Sequence, residues 1–300
     1  MLPYVAESLA DGAADLFPQY VAWTSRRNAG EGLGRQLLAR LLVETRASID
    51  PVLEPEERAA ANELFEAATR ACAPAAPSAH EGLAPGSLPL RYVEALLEGD
   101  RSRAFALVES AREGGTTVAE IYVSVLQPAL EEVGRRWSEG AIDVAQEHYV
   151  TAATELLMSK LHRIEPTPEP KGRLLAACVP GETHALGLRM ISDLLELEGW
   201  TTMLLGGDVP VEAIVAAAKR HRPDVVALSA SLHVHVEPMR EVVAAIRADA
   251  ALDGVRIMVG GRALAVSGWR AADLGADLEA RGALEALETF RNLHPPRRSP

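Results

Sequence analysis

The chain has 300 residues, 48% apolar and 24% charged, a composition that fills at least one full core and excludes a disordered chain. Thirty basic against 42 acidic residues leave a net charge of −12, which argues against direct DNA binding, since that takes a basic face to neutralise phosphates. Two cysteines, Cys72 and Cys178, make no disulfide framework and fit a reducing compartment. No apolar run approaches the roughly 20 residues that span a bilayer, and the first residues lack the basic and apolar regions of a secretory leader. We therefore expect a cytoplasmic protein with no membrane contact.

In chain order, residues 1–71 read as a helical module, with Leu33, Leu37, Leu38, Leu41 and Leu42 spaced as one helix face and Pro55-Glu56-Glu57 suited to a helix start. Residues 72–89, CAPAAPSAHEGLAPGSLP, lack periodicity and read as a linker. Residues 90–166 divide into four helical stretches, 90–98, 102–112, 117–137 and 142–164, separated by glycines and predicting a four-helix bundle; Pro128 is expected to kink the third.

Residues 172–293 alternate. Apolar runs at 174–179, 202–206, 225–230 and 256–261 read as buried strands, and amphipathic stretches at 184–199, 210–221 and 236–249 lie between them. A weaker strand falls near 276–278 and a last helix at 281–293; the tail 294–300 reads as disordered. The fold class is thus α plus α/β: helical module, bundle, then a doubly wound, Rossmann-like (flavodoxin-like) parallel sheet.

Open parallel sheets bind ligands beyond the carboxyl ends of their strands. There the sequence places Glu182, His184 and Gly187 after the first strand, Ser229 and Ser231 after the third, and Gly260-Gly261 after the fourth. Neither a dinucleotide glycine fingerprint nor a phosphate-loop lysine is present. The pattern Glu182-x-His184-x-x-Gly187, 41 residues, Ser229-x-Ser231, 28 residues, Gly260-Gly261 resembles the cobalamin-binding domain of methionine synthase, several mutases and corrinoid methyl carriers. Glu182 stands where that pattern has aspartate, and Ser231 where it has leucine. The resemblance implies that His184 coordinates cobalt from below, since a neutral imidazole nitrogen is a good ligand. Glu182 would orient the ring, Ser229 would hydrogen-bond the displaced nucleotide tail, and the glycines would let that tail lie against backbone.

The bundle resembles the helical cap of the same proteins. Its Trp137, nine residues, Glu147-His148 resembles the signature of cobalamin-dependent light-sensing regulators of the CarH and LitR type. That implies Trp137 and Glu147 against the adenosyl group of adenosylcobalamin, and His148 as the upper cobalt ligand after light breaks the cobalt–carbon bond. The resemblance spans residues 90–290; residues 1–71, in which acids outnumber bases, show no recognition helix. The function expected on this footing is a light sensor, not a turnover catalyst, signalling to an undefined protein partner or changing its self-association. A second, bilin chromophore near Phe17, Tyr20, Trp23, Tyr149, His233 or His235 is a further option. The alternatives are a corrinoid protein carrying a methyl group for a methyltransferase, and a cobalamin-sensing adaptor.

Overall fold

The structure is a computed structural model and describes residues 2–10, 16–27, 34–72, 82–162, 170–267 and 269–293. The middle of the predicted linker, the end of the fourth bundle stretch beyond residue 162, and the tail lie outside the described residues. The chain divides into two compact units, Met1–Thr116 with Ser124–Leu156, and Thr117–Val123 with Leu157–Pro300.

The first unit is helical. Helices α1 (Leu2–Ala10), α2 (Leu16–Arg27), α3 (Gly34–Ile49) and α4 (Pro55–Ala71) share a core of Val5, Phe17, Val21, Leu38, Leu42, Leu64, Phe65 and Ala68. The leucine run of α3 divides across the helix. Leu38 and Leu42 enter this core while Leu37 and Leu41 stand exposed, because neighbouring positions diverge by about 100° around a helix of 3.6 residues per turn.

Helices α5 (Leu88–Leu97), α6 (Arg101–Glu113), α8 (Gln127–Ser138) and α9 (Val144–Leu161) follow. Asp100 caps α6 by accepting from the Arg103 N–H at 2.9 Å. Asp143 and Gln146 cap α9 reciprocally at 2.8 and 3.0 Å, satisfying donors that a helix start otherwise leaves unpaired. The Tyr92 hydroxyl, buried in α5, meets Thr154 Oγ1 of α9 at 3.0 Å.

The predicted helix over 117–137 is not simply kinked at Pro128. It is a short α7 (Val118–Ile121), a π turn over Tyr122–Leu126, and then α8, with Pro128 in its first turn. Proline has no N–H to donate back up a helix, so the widened turn precedes it and α8 restarts where a missing donor costs nothing.

The second unit is built on five parallel strands, β1 (Arg173–Cys178), β2 (Thr201–Gly206), β3 (Val225–Ser229), β4 (Arg256–Gly260) and β5 (Leu278–Ala280), in the order β2-β1-β3-β4-β5. β1 and β3 are buried along nearly their whole length, which is why they read as unbroken apolar runs. Helix α10 (Leu186–Leu197) packs on α14 (Ala283–Asn292), and α11 (Val211–His221) on α12 (Val236–Arg247). The sheet face formed by Leu175, Ala177, Val226, Leu228, Ile257 and Val259 shares one core with α11 and α12. A short α13 (Arg262–Ser267) follows β4 and was not evident in the sequence. The fifth strand lies two residues later than its pattern indicated.

Two glycines are demanded by the sheet itself. A Cβ on Gly260 would lie 2.6 Å from the Ala280 carbonyl oxygen, and one on Gly261 (φ +99°) 2.2 Å from that of Ala230. Their lack of a side chain, expected to make room for a ligand tail, is already required by the close approach of neighbouring backbone.

Within this unit the π turn is fastened to α10. The Tyr122 hydroxyl donates to buried Asp193 at 2.8 Å, and His162 Nε2 meets Glu196 at 2.6 Å. Among the described residues, His162, Asp193 and Glu196 are the one set of three metal-ligating types whose ligand atoms all lie within 4.8 Å of one another. Tyr122 and Arg189 engage Asp193 Oδ2, and Thr202 donates to Glu196; this is a polar tie between elements.

Candidate functional site

The strand order reverses direction between β1 and β3, and at such a switch point the loops leaving the two strands part to form a crevice. Here the β1 loop brings Glu182 and His184, and the β3 loop brings Ser231 and His235. Glu182 is fully buried, in a loop shaped for it. Its N–H bonds the Val179 carbonyl at 3.0 Å, its carbonyl accepts from the Asp208 N–H at 2.6 Å, and Asp208 Oδ1 accepts from the Gly181 N–H at 2.7 Å.

Both carboxylate oxygens of Glu182 are in use. Oε1 accepts from the His184 N–H at 2.7 Å and lies 2.5 Å from His184 Nδ1. Oε2 accepts from the Ser231 N–H and lies 3.1 Å from His235 Nδ1. Burial alone would push the carboxyl's pKa upward, but the two imidazoles and the two backbone N–H groups outweigh it and hold Glu182 well below the usual carboxylate range. Glutamate's extra methylene relative to aspartate therefore does not prevent the contact with His184.

With Nδ1 on the carboxylate, Nε2 is the nitrogen of His184 that would face a metal, and the side chain is 61% exposed. Gly187, in the first turn of α10, has nothing within 4 Å of where its Cβ would sit. Ser229 ends β3 opposite Gly260 on β4, so the motif's serine and its glycine pair sit side by side at the sheet's carboxyl edge. An exposed, carboxylate-oriented imidazole is the kind of nitrogen donor that would hold a corrinoid's cobalt.

Two residues of this loop cluster lie outside the sequence motif: His235, expected only as a bilin contact, meets Glu182 instead, and Asp208 holds the Gly181 N–H. The signal for Asp208 is Gly206-Gly207-Asp208 at the end of β2: a Cβ on Gly207 would lie 3.1 Å from Thr183 Cα, and Asp208 itself has φ +51°. Cys178 behaves as expected, with burial pushing its thiol pKa up to about 12.

On the helical side, Trp137 is the penultimate residue of α8, and Glu147 and His148 lie in the opening turns of α9. Glu147 Oε2 meets His148 Nδ1 at 2.5 Å and Oε1 accepts from Thr151 at 2.9 Å. The His148 side chain is 75% exposed.

Residues 172–288 match the model of a B12 binding domain, and residues 90–162 match a second B12 binding domain model. Among curated proteins, trimethylamine corrinoid protein 1 of Methanosarcina acetivorans is 25% identical over 205 residues, covering 66% of this chain and 93% of that protein. Dimethylamine corrinoid protein 2 of the same organism is 28% identical over 204 residues, covering 67% and 93%. The solved Methanosarcina barkeri monomethylamine corrinoid protein superposes with a TM-score of 0.60 at 21% identity, over 69% of this chain and 98% of that one, showing a shared fold.

The chain is a cobalamin-binding protein, with a helical B12-binding domain ahead of a Rossmann-like one. Its relatives above are named as methylamine corrinoid proteins, and this overturns the expectation of a light sensor. Physically, the Trp137, Glu147 and His148 spacing reflects a helix end, a turn and a helix start. The glutamate and histidine satisfy each other there, and Glu147 suits the positive end of α9. The grounds for a bilin fall with the sensor: Phe17 is fully buried in the N-terminal core, Tyr20 stacks on Tyr4 at 4.2 Å, and His233 is buried. The side chain of Trp23 lies outside the described residues. No helix among the described residues is long and apolar enough to cross a membrane.

Proposed function

We propose that this chain is a corrinoid protein that holds cobalamin for a methyltransferase system and passes a methyl group on without being the catalyst of either transfer. The observation carrying this is the match of about two thirds of the chain to proteins named as trimethylamine and dimethylamine corrinoid proteins, beside the two B12-binding domain matches. A bound corrinoid supplies a cobalt that takes up a methyl group and gives it up. His184 would hold that cobalt through Nε2, and Glu182 would keep the proton on Nδ1 and fix the ring's direction. Ser229, Ser231 and the Gly260-Gly261 edge would receive the nucleotide tail, and Gly187 would leave clearance beside the imidazole.

The test uses the full chain loaded with cobalamin carrying a 13C-labelled methyl group, mixed with a small thiol, with and without extract of the source cells. The expected result is that the label leaves the protein in the extract-dependent reaction, in the dark and in light alike. A bound methyl group that stays inert with extract, or leaves only under illumination, would overturn the carrier reading. His184→Ala is expected to weaken cobalamin binding by at least the roughly 10–100-fold that loss of a ligand's supporting partner costs, measured by equilibrium dialysis.

A further inference from the structure

Asp208 is an exposed aspartate on the loop after β2, and its backbone is left-handed, at φ +51°. Residues with a Cβ seldom adopt that region, aspartate and asparagine being among those that do. Two hydrogen bonds to the β1 loop accompany the strain. The Asp208 N–H donates to the Glu182 carbonyl at 2.6 Å, and Asp208 Oδ1 accepts from the Gly181 N–H at 2.7 Å. Next along the chain, the Val209 N–H reaches the Cys178 carbonyl at 3.4 Å. An irregularity in the sheet aims the loop there: β2 pairs Leu204 with Ala176 and Gly206 with Ala177, leaving Leu205 as an extra residue. Main chain then meets main chain so closely that a Cβ on Gly207 would lie 3.2 Å from the Glu182 carbonyl oxygen.

Resting on the reading of His184 as the cobalt ligand, we infer that Asp208 is a positioning residue for it, acting through the main chain of the β1 loop: it grips Gly181 and Glu182 and so fixes where the loop carries the His184 ring. Its hold is on the backbone from which the Glu182 side chain departs, not on the partners of the carboxylate. The Glu182 N–H is bound inside its own loop, to the Val179 carbonyl at 3.0 Å; Asp208 supplies two bonds that tie the loop to the end of the neighbouring strand. The N–H and the ring of His184 both bond to Glu182, so a shift of the Glu182 main chain carries the imidazole with it. Glycine would take the left-handed backbone with less strain, but it lacks the acceptor that Gly181 uses. Backbone held in a sparsely populated region persists where surrounding contacts over-determine it, and such residues cluster at functional sites.

The experiment uses the full-length chain and two readouts. In the cobalamin-free protein, hydrogen–deuterium exchange follows the backbone amides of the loop after β1. In cobalamin-loaded protein, reduced to cob(II)alamin and labelled with 15N-histidine, axial coordination by histidine gives two-line nitrogen splitting in the paramagnetic resonance spectrum, where an unlabelled nitrogen gives three lines. Wild type should give the two-line signal. Asp208→Gly keeps the left-handed backbone and removes the acceptor. Its Gly181 amide should exchange about tenfold faster, and its ratio of histidine-ligated to unligated cobalt should fall about tenfold, the scale of losing one hydrogen bond to a charged group. Its urea midpoint should stay near that of wild type, because relief of the strained backbone offsets the lost bond. Asp208→Asn, which keeps a carbonyl acceptor and tolerates the same backbone, should recover most of both signals. An unchanged ratio in Asp208→Gly, an Asp208→Asn variant no better than Asp208→Gly, or a loss of ligation matched by a loss of folding stability would overturn the inference. A His184→Ala protein that still gives the two-line signal would instead overturn the ligand assignment of His184, a separate failure.

Discussion

Gly261→Ala should cost about 3 kcal/mol or more of folding stability, the range for forcing a side chain into a left-handed backbone with no space for it. The added methyl would lie 2.2 Å from the Ala230 carbonyl oxygen at a residue with φ +99°. That carbonyl cannot swing aside, because it accepts from the Ala263 N–H at 3.1 Å, and the Ala230 N–H is bound to the Gly260 carbonyl at the same distance. Urea unfolding of the cobalamin-free protein measures the effect. A loss below about 1 kcal/mol would mean that the end of β3 yields far more readily than its hydrogen bonding indicates.

Glu182→Gln carries the second large effect, and it acts on stability and on cobalamin together. The neutral amide cannot accept on both atoms, so at least one of the N–H groups converging there loses its partner. Breaking a buried charge network of this kind costs roughly 3–5 kcal/mol. The pH dependence follows from the sign of the shift. The folded-state pKa is lowered from the ordinary 4.5, so Glu182 stabilises the fold fully above that value and loses its contribution as pH falls below it. Wild-type stability should therefore drop on acidification from about pH 5 downward, and the Glu182→Gln profile should be shallower over the same interval. Parallel profiles would show that the carboxylate is not what the acid limb reports. Cobalamin affinity should fall by about 10–100-fold, as when a ligating histidine loses its orienting carboxylate.

What the sequence revealed depended on whether burial or geometry was the cause. β1 and β3 are covered on both faces, so apolar runs alone marked them. The Glu182, His184 and Gly187 spacing was legible because one loop and the first turn of α10 place all three. Pro128 announced a disturbance without its form, since a widened turn and a kink both answer a missing N–H. Leu37 and Leu41 misled because spacing identifies a stripe without showing how wide a stripe is buried. His235 was hard to see because its partner lies on a loop 53 residues earlier, a pairing that the parallel crossover creates and no local pattern carries. The distinction between sensor and carrier rested on Trp137, Glu147 and His148, residue types that a helix corner accommodates for its own reasons.

Gly187 stands apart from the sheet's glycines. Gly260 and Gly261 are hemmed in by backbone, whereas the position of a Cβ on Gly187 is empty to 4 Å, three residues along the chain from His184. A methyl group added there would meet nothing within 4 Å outside its own helix backbone among the described residues. A graded series of side chains at 187 would thus act as a feeler gauge, each size reporting in ångströms how near an incoming molecule comes to the imidazole while the imidazole and its carboxylate stay untouched.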